Sequence, residues 1–267
     1  MPDILTEIVS ATRDSLPRRK AAHPVSSLRS SPLYGHGRRG FASALSPPPL
    51  ALIGEHKRRS PSKGVIREDL SLADVVSAYQ AGGARAISVL TEPDYFGGSL
   101  ADLRGARAST ALPLLRKDFI VEPYQVVEAR AHGADAILLI AAALDRSALA
   151  DLFDAAREEG LEALVEVHTA GELDRLDLNT MSLVGVNNRD LRTFEVDLQT
   201  SATIFPLLPD HTIRVSESGY LTAQDVLFAA EIGAHAVLAG ERLMNAFDPE
   251  ALVSAWVNAV SKVDQAS

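Results

Sequence analysis

Eight short apolar runs divide most of this 267-residue chain and constrain its fold more than any other feature. Each is six or seven residues long, a usual strand length. The fourth run is apolar on both faces, which is typical of a parallel strand covered by helices. The sequence therefore predicts eight buried strands: ALIGEHK (51–57), AISVLTE (86–92), PLLRKDF (113–119), AILLIAA (136–142), EALVEVH (162–168), LVGVNN (183–188), TIRVSES (212–218) and AVLAGE (236–241).

Segments with helical periodicity separate many of these runs. They span 72–83, 99–109, 122–133, 145–160 and 222–233, and several end in Gly, a common residue after a helix. Alternation of strand and helix in steps of roughly thirty residues favours right-handed parallel crossovers. We therefore expect an α/β fold, a closed (β/α)₈ TIM barrel with an N-terminal helical extension and an active site at the carboxyl ends of its strands.

Composition excludes several other classes. The chain has 46% apolar residues and no Cys, so it can bury one large core but has no disulfide, thiolate nucleophile or Cys-based zinc site. Its net charge of −9 disfavours nucleic acid, and an anionic small molecule would need a local cationic pocket. Residues 1–10 lack signal-peptide order, and no apolar stretch is long enough to span a membrane. We expect a cytoplasmic protein with no membrane partner.

The first part of the chain differs from the rest. Residues 1–40 hold seven Lys or Arg and three acidic residues, and Leu5, Ile8 and Val9 have helical spacing. We expect an amphipathic helix across the barrel, with a membrane or nucleic-acid patch as the less favoured alternative. The Pro-rich stretch 31–49 predicts an irregular linker. The predicted division is an extension and linker at 1–48 and a catalytic barrel at 49–267, forming one structural domain overall.

Five ionisable residues are predicted to point from the strand ends into one interior. They are Glu55, Lys57, Lys117, Glu166 and Glu217, and Asn187 ends a further strand. Side chains alternate along a strand, so Glu55 and Lys57 share a face. Burying such charges is costly unless they are paired, and a salt-bridge network that only caps the barrel is the structural alternative. The functional interpretation is general acid–base catalysis.

Two histidines near these strand ends have different predicted roles. His56 falls on the opposite face from Glu55, so we expect it to pack against helices. His168 shares a face with Glu166 but lies one pleat beyond, which makes it a candidate at the rim. No His, Asp or Glu spacing suggests a metal, and no G-x-G-x-x-G motif follows a strand. We therefore expect neither a metal nor a cofactor.

Glycines near the last two strand ends suggest a phosphate site. Gly219 lies in VSESG and Gly240 in LAGE, and phosphate in such barrels commonly binds between the seventh and eighth loops. Each motif alone is weak, because helices after strands often begin with Gly. Their joint position predicts a phosphorylated substrate, with Ser60 and Lys63 of the SPSKG turn near the rim.

The motifs together resemble the indole-3-glycerol-phosphate synthase family of tryptophan biosynthesis, over about residues 50 to 250. The resemblance is carried by EHKRRSPSKG (55–64), ISVLTEPDYFGGS (87–99), LRKDFIVEPYQ (115–125), ADAILLIAA (134–142), ALVEVH (163–168), VGVNNRDLRTFEVD (184–197), VSESG (215–219) and VLAGERLM (237–244). It implies conversion of 1-(2-carboxyphenylamino)-1-deoxyribulose 5-phosphate into indole-3-glycerol phosphate, carbon dioxide and water, without a cofactor.

The resemblance also implies residue roles. Lys117 is the acid that activates the ketone, with Glu55 orienting it, and Glu166 is the base. Lys57 meets the substrate carboxylate and is a candidate second acid, and the resemblance leaves open which lysine serves each step. The remaining implied contacts are Asn187 and Glu217 with sugar hydroxyls and lysines, Arg189 on the carboxylate side, Ser218 in the seventh loop, and Gly219, Gly240, Glu241 and Ser60 with phosphate.

Apolar residues near the same mouth have two interpretations. Pro61, Leu90, Phe96, Phe119, Leu138 and Leu191 either cap the core or form a wall against the substrate's aromatic ring. For Phe96 and Phe119, which follow strand ends, the wall is favoured. The rival functions are another phosphosugar enzyme, such as an isomerase or a Schiff-base aldolase, and a noncatalytic phosphosugar-binding barrel. We expect a monomer, with weak association with other tryptophan-pathway enzymes as a further possibility.

Overall fold

Eight parallel strands close into a barrel in the computed structural model, which describes residues 3–67 and 69–264. Strands are numbered in chain order, and β1 pairs with both β10 and β4, which closes the ring. The predicted TIM barrel is confirmed. The barrel strands are β1 (Ala51–His56), β4 (Ala86–Leu90), β5 (Leu114–Lys117), β6 (Ala136–Ile140), β7 (Glu162–Val167), β8 (Leu183–Asn187), β9 (Ile213–Glu217) and β10 (Ala236–Ala239); β2 (Arg59–Ser60) and β3 (Gly64–Val65) form an antiparallel pair in the loop after β1.

All five predicted helical segments form helices. Side chains of Ser71, Ser99, Asp145 and Thr222 accept hydrogen bonds from backbone N–H groups in the first turns of four of them, which stabilises those turns. The helices are α1 (Ile4–Ala22), α2 (Val25–Arg29), α3 (Phe41–Leu45), α4 (Leu72–Ala81), α5 (Leu100–Ser109), α6 (Pro123–Ala131), α7 (Arg146–Glu158), α8 (Gln199–Ile204), α9 (Ala223–Glu231), α10 (Glu241–Met244) and α11 (Pro249–Asp264), with 3₁₀ turns at Ala141–Ala143, Ala170–Arg175 and Phe205–Leu207.

The predicted linker is partly wrong, because it contains helix α3. Phe41 and Leu45 of α3 are fully buried and belong to the same apolar cluster as the barrel interior. Glu162, the first residue of β7, accepts hydrogen bonds from the N–H groups of Phe41 and Ala42. Helix α3 therefore covers the amino-terminal end of the barrel. Apolar burial fixes this short segment despite the prolines that follow it.

Helix α1 is the amphipathic helix that the apolar spacing predicts, and it lies over the opposite end of the barrel. Ile8 and Val9 pack into the barrel's interior cluster. Its basic residues Arg19 and Lys20 pair with carboxylates of α6 and of the residue preceding it, Glu128 and Glu122. Two basic residues of the N-terminal segment are therefore held in intramolecular ion pairs. Among the described residues, no helix has both the length and the apolar character needed to cross a membrane. The proposed division at residue 48 remains a prediction.

Candidate active site

A cavity with an empty volume of about 860 Å³ lies at the carboxyl ends of the barrel strands. An adjoining pocket of about 880 Å³ continues it toward the ends of β9 and β10. The predicted residues that line the first cavity are Glu55, Lys57, Ser60, Pro61, Leu90, Phe96, Lys117, Phe119, Leu138, Glu166, Asn187, Arg189, Leu191, Ser218 and Glu241. Gly219 and Gly240 line the second pocket. Glu217 lies beside Lys117, with its Oε2 atom 3.5 Å from the lysine Nζ.

Lys117, at the end of β5, is held between two carboxylates. Its Nζ atom lies 3.1 Å from Oε2 of Glu166 and 3.5 Å from Oε2 of Glu217. The lysine side chain is 15% exposed and both carboxylates are nearly fully buried, and Lys117 and Glu166 line the cavity. Parallel strands β5, β7 and β9 deliver these three side chains to one point because all three end on the same face of the barrel.

Burial and neighbouring charges shift the pKa values of these three groups in different directions. Burial alone would lower the pKa of Lys117, but the charges of Glu166, Glu217 and Glu55 raise it above its ordinary value. Burial alone would raise the pKa of Glu166, but chiefly the Lys117 ammonium lowers it to about 2. Burial and the charge of Glu166 raise the pKa of Glu217 well above its ordinary value. The arrangement favours an ammonium, an ionised Glu166 and a protonated Glu217.

Gly185, in the middle of β8, makes room for Glu217 and was not among the predicted site residues. A Cβ atom at this position would lie 2.0 Å from Oε1 of Glu217. Neither carboxylate oxygen of Glu217 accepts a hydrogen bond from a described residue, which suits a carboxyl that holds a proton. A glycine inside a strand often marks a close approach, so LVGVN held the signal that identifies this position.

Glu55 pairs with Lys57 rather than contacting Lys117 directly. The Lys57 Nζ and Glu55 Oε1 atoms are 2.8 Å apart, so the expectation that Glu55 orients Lys117 is replaced by a longer-range electrostatic effect. Although burial would raise the pKa of Glu55, the charges of Lys57 and Lys117 lower it. A Cβ atom at Gly240 would lie 2.6 Å from Oε1 of Glu55. Gly240 therefore leaves space for a carboxylate of the site.

The two histidines lie where the strand pattern predicts. His168 is beside the candidate base, with Nε2 at 3.4 Å from Oε1 of Glu166 and Nδ1 at 3.8 Å from Oε2 of Glu172. Burial alone would lower the pKa of His168, but Glu172 and Glu166 raise it. His56 is buried on the other face of β1, where burial and then the charge of Arg58 lower its pKa to about 4.

Apolar side chains form part of the lining of the same cavity. The Phe96 and Phe119 rings lie 6.1 Å apart at an interplanar angle of 33°. Helix α1 contributes Ile4, Leu5 and Ile8 to the same lining, and these three were not predicted to be site residues. Their helical spacing was visible in the sequence, but it does not tell which barrel end the helix covers. This wall suits a flat apolar ring beside ionisable groups.

The predicted phosphate pocket contains both unusual backbone and cations. Ser218 and Gly219 have φ values of 69° and 93°, in the left-handed region that favours glycine. A Cβ atom at Gly219 would lie 2.6 Å from Cγ1 of Val196, so a side chain there would meet the loop after β8. Lys57, Lys63, Arg189 and Arg242 also line this pocket.

Arg189 connects the loop after β8 to the start of α10. Its backbone N–H donates to Oδ1 of Asn187 at 3.0 Å, which fixes the turn after the strand. Its Nη1 donates to the Phe194 carbonyl at 3.2 Å, and its Nη2 donates to Oε2 of Glu241 at 3.3 Å. Arg189 therefore lies beside Glu241, between the two pockets. Within 3–67 and 69–264, no cluster of three or more His, Cys, Asp or Glu residues has the arrangement of a metal site.

Comparison with known proteins agrees with this geometry. Residues 5–255 match the family model described as indole-3-glycerol phosphate synthase. Relatives of that name include one from Rhodococcus opacus, 45% identical over 256 residues with 96% of this chain and 95% of the relative covered. Another, from Salinibacter ruber, is 48% identical over 248 residues, with 92% of each chain covered.

Solved structures with low sequence identity share the fold. A thiamine phosphate pyrophosphorylase from Pyrococcus furiosus aligns with a TM-score of 0.60 at 13% identity, covering 84% of this chain and 99% of that one. A tryptophan synthase alpha subunit from Legionella pneumophila aligns with a TM-score of 0.59 at 14% identity, covering 80% and 93%. These two support the barrel alone. The family match and the relatives show that this chain belongs to the indole-3-glycerol phosphate synthase family.

Proposed function

We propose that this chain is a carboxy-lyase of tryptophan biosynthesis. It closes the indole ring by converting 1-(2-carboxyphenylamino)-1-deoxyribulose 5-phosphate into indole-3-glycerol phosphate, carbon dioxide and water. The observation that carries the proposal is Lys117, held 3.1 Å from Glu166 in a cavity that Phe96 and Phe119 also line. An acid, a base and a flat apolar surface are what this ring closure requires of a protein.

Ring closure begins with activation of the substrate ketone. Lys117 donates a proton to the ketone oxygen while the ring carbon that bears the carboxylate attacks the ketone carbon. The raised pKa keeps Lys117 protonated and able to donate. The raised pKa also makes the ammonium a weaker acid, and Glu166 binds the same ammonium, so proton transfer to the ketone oxygen must overcome both effects. A positioned acid contributes roughly 10²- to 10⁴-fold to a rate.

Loss of carbon dioxide and water completes the indole. Cleavage of the carbon–carbon bond to the carboxylate returns its electron pair to the ring and restores aromaticity. Ionised Glu166 then accepts the anilino proton while the hydroxyl group departs as water, and loss of one proton from the neighbouring methylene carbon with return of a proton to nitrogen gives the indole. Lys57, beside Glu55 at the cavity edge, binds the substrate carboxylate and is placed to protonate the leaving hydroxyl. Protonated Glu217 keeps its neighbours in place and contacts the sugar hydroxyls together with Asn187.

Substrate binding divides between the two pockets. The aniline ring lies against Phe96 and Phe119, and burying it contributes roughly 2 kcal/mol. The phosphate lies at the ends of β9 and β10, contacted by backbone of Ser218, Gly219, Gly240 and Glu241 with Ser60 at the rim. A raised lysine pKa disfavours the Schiff-base alternative, since an imine requires a neutral amine. The same proposal includes a cytoplasmic monomer whose association with other enzymes of the pathway is weak.

Product formation tests the proposal directly. The carboxyphenylamino substrate is added to purified protein in chelator, and the indole product is followed by absorbance and fluorescence. We expect turnover at the same rate with and without chelator, and no adduct that borohydride can trap. Absence of indole product would contradict the proposed activity. Activity lost in chelator and restored by a divalent ion would contradict the acid–base scheme.

A further inference from the structure

The carboxylate of Glu241 lies between two cations at the edge of the anion pocket. Its Oε2 is 3.3 Å from Nη2 of Arg189, and its Oε1 is 3.8 Å from Nζ of Lys63. Arg189 belongs to the loop after β8, and Lys63 to the loop after β1. Glu241 thus brings three separate loops together through its charge.

These contacts occupy positive charge that an incoming anion would use. Lys57, a third cation of the pocket, is already paired with Glu55 at 2.8 Å. The side chains of Glu241 and Lys63 are 26% and 57% exposed, so Glu241 can leave its partners and turn toward water without unfolding the site. The pair with exposed Lys63 is worth only about 0–1 kcal/mol, whereas Arg189 and Glu241 are 22% and 26% exposed, so displacing that pair requires a doubly charged ligand.

We propose that Glu241 is an internal competitor for the phosphate group of the substrate. In the free enzyme its carboxylate binds Arg189 and Lys63, and substrate phosphate displaces it to reach them. The inference rests on the proposed function's phosphate pocket and adds a specificity determinant to it. A phosphate dianion outcompetes a single carboxylate for two cations, whereas an unphosphorylated sugar does not. Glu241 therefore lowers affinity for every ligand but selects for the phosphorylated one.

Titration with inorganic phosphate separates this role from a supporting one. Removing the charge in Glu241→Gln should tighten phosphate binding by about threefold to tenfold, measured by calorimetry at fixed ionic strength. Glu231→Gln is the matched control, because it removes the same charge from an exposed residue of α9 that lies outside both pockets. The control should change the dissociation constant by less than about 1.5-fold.

A second variant shows whether the competition acts through Lys63. In a Lys63→Ala background, Glu241→Gln should give a smaller gain in phosphate affinity, because one of the two contested cations is absent. An equal gain in both backgrounds would remove Lys63 from the mechanism proposed here. Phosphate binding that is unchanged, weaker or undetectable in Glu241→Gln would overturn the inference and make Glu241 a support for Arg189.

Turnover distinguishes failure of the inference from failure of the proposed function. If the wild type forms the indole product but Glu241→Gln lowers neither the KM for the phosphorylated substrate nor the dissociation constant of phosphate, the inference fails and the function stands. If the wild type forms no product but Glu241→Gln still binds phosphate more tightly than wild type, the function fails and the competitor role stands.

Discussion

Arg116 and Lys117 are neighbouring cations on β5 whose side chains lie on opposite faces of the barrel wall, in different surroundings. Arg116 points toward the helices and is fully buried. Its guanidinium donates hydrogen bonds to Thr91, Asp118, Glu128 and the Gln125 carbonyl at 2.8–3.1 Å. A second hydrogen bond to Asp118 measures 3.2 Å. Lys117 points inward, where its ammonium faces a cavity.

The difference shows that buried charge does not by itself mark a catalytic group. Around Arg116 every guanidinium nitrogen has a partner, so the cluster ties β5 to α6 and has little capacity left for a ligand. Around Lys117, Glu217 accepts no hydrogen bond from the described residues, and the ammonium remains open to the cavity. Hydrogen-bonding groups left without partners beside a cavity, rather than burial, distinguish the inner cluster of Lys117, Glu166 and Glu217 from the outer cluster around Arg116.

The largest expected effect within this comparison is on the inner cluster. Glu166→Gln should lower kcat by roughly 10²- to 10⁴-fold, because the amide cannot accept the anilino proton. Its phosphate affinity should stay within about twofold of wild type, since the contact is remote from the anion pocket. Steady-state kinetics and phosphate calorimetry on the same preparation check both. Equal losses in kcat and phosphate affinity would show instead that the variant disturbs the whole barrel mouth.

The next effect should appear in stability and belongs to the outer cluster. Arg116→Met leaves the buried carboxylate of Asp118 without its paired guanidinium and that of Glu128 with Arg19 as its remaining ion-pair partner. Breaking a buried pair in this way costs about 3–5 kcal/mol of unfolding free energy. Denaturant unfolding measures the loss, and turnover well below the melting temperature should fall far less than in Glu166→Gln. A stable Arg116→Met protein with abolished turnover would reverse the assignment of the two clusters.

Which side chains face into the barrel and which face outward could be predicted in part from the sequence. Apolar runs and strand alternation placed Glu55 inward and His56 outward, because side-chain period is fixed by the backbone. The pair of Glu55 with Lys57 agrees with their shared face, but the convergence of Glu166 and Glu217 on Lys117 joins three strands and could not be predicted from the sequence. The space left by Gly185 for Glu217 likewise depends on two strands far apart in sequence.

The helices that cover the two ends of the barrel were less predictable than its strands. Phe41 and Leu45 of α3 lie in a segment whose prolines favour a linker, and only burial against the barrel makes the helix stable. Helix α1 was predicted from the spacing of Leu5 and Ile8. That it lines the active-site cavity follows from tertiary packing, which a single periodic pattern does not encode.

His56, on the outer face of β1, should make a smaller and pH-dependent contribution. Its pKa is lowered from 6.5 to about 4 in the folded state, so between these values the unfolded chain binds more protons. Stability is therefore present above pH 6.5 and is lost as pH falls toward 4, by about 3 kcal/mol at most. His56→Gln should remove this part of the pH dependence. Identical slopes of unfolding free energy in wild type and variant over pH 6.5–4 would contradict the shift.

Lys57, which follows β1 on its inner side, should give the smallest of these effects on substrate binding. Because we expect it to bind the substrate carboxylate in the ground state, Lys57→Ala should raise KM by about tenfold, equivalent to about 1.4 kcal/mol. Its effect on kcat depends on whether it also serves as the second acid. An unchanged KM in steady-state kinetics would exclude the carboxylate contact.

The most direct measurement of the central claim is kcat for Lys117→Ala in folded protein. If the inner cation donates the proton that activates the ketone, kcat falls by roughly 10²- to 10⁴-fold while circular dichroism remains that of the wild type at the assay temperature. Near-wild-type turnover by Lys117→Ala would contradict the account, because the chemistry would then not depend on Lys117.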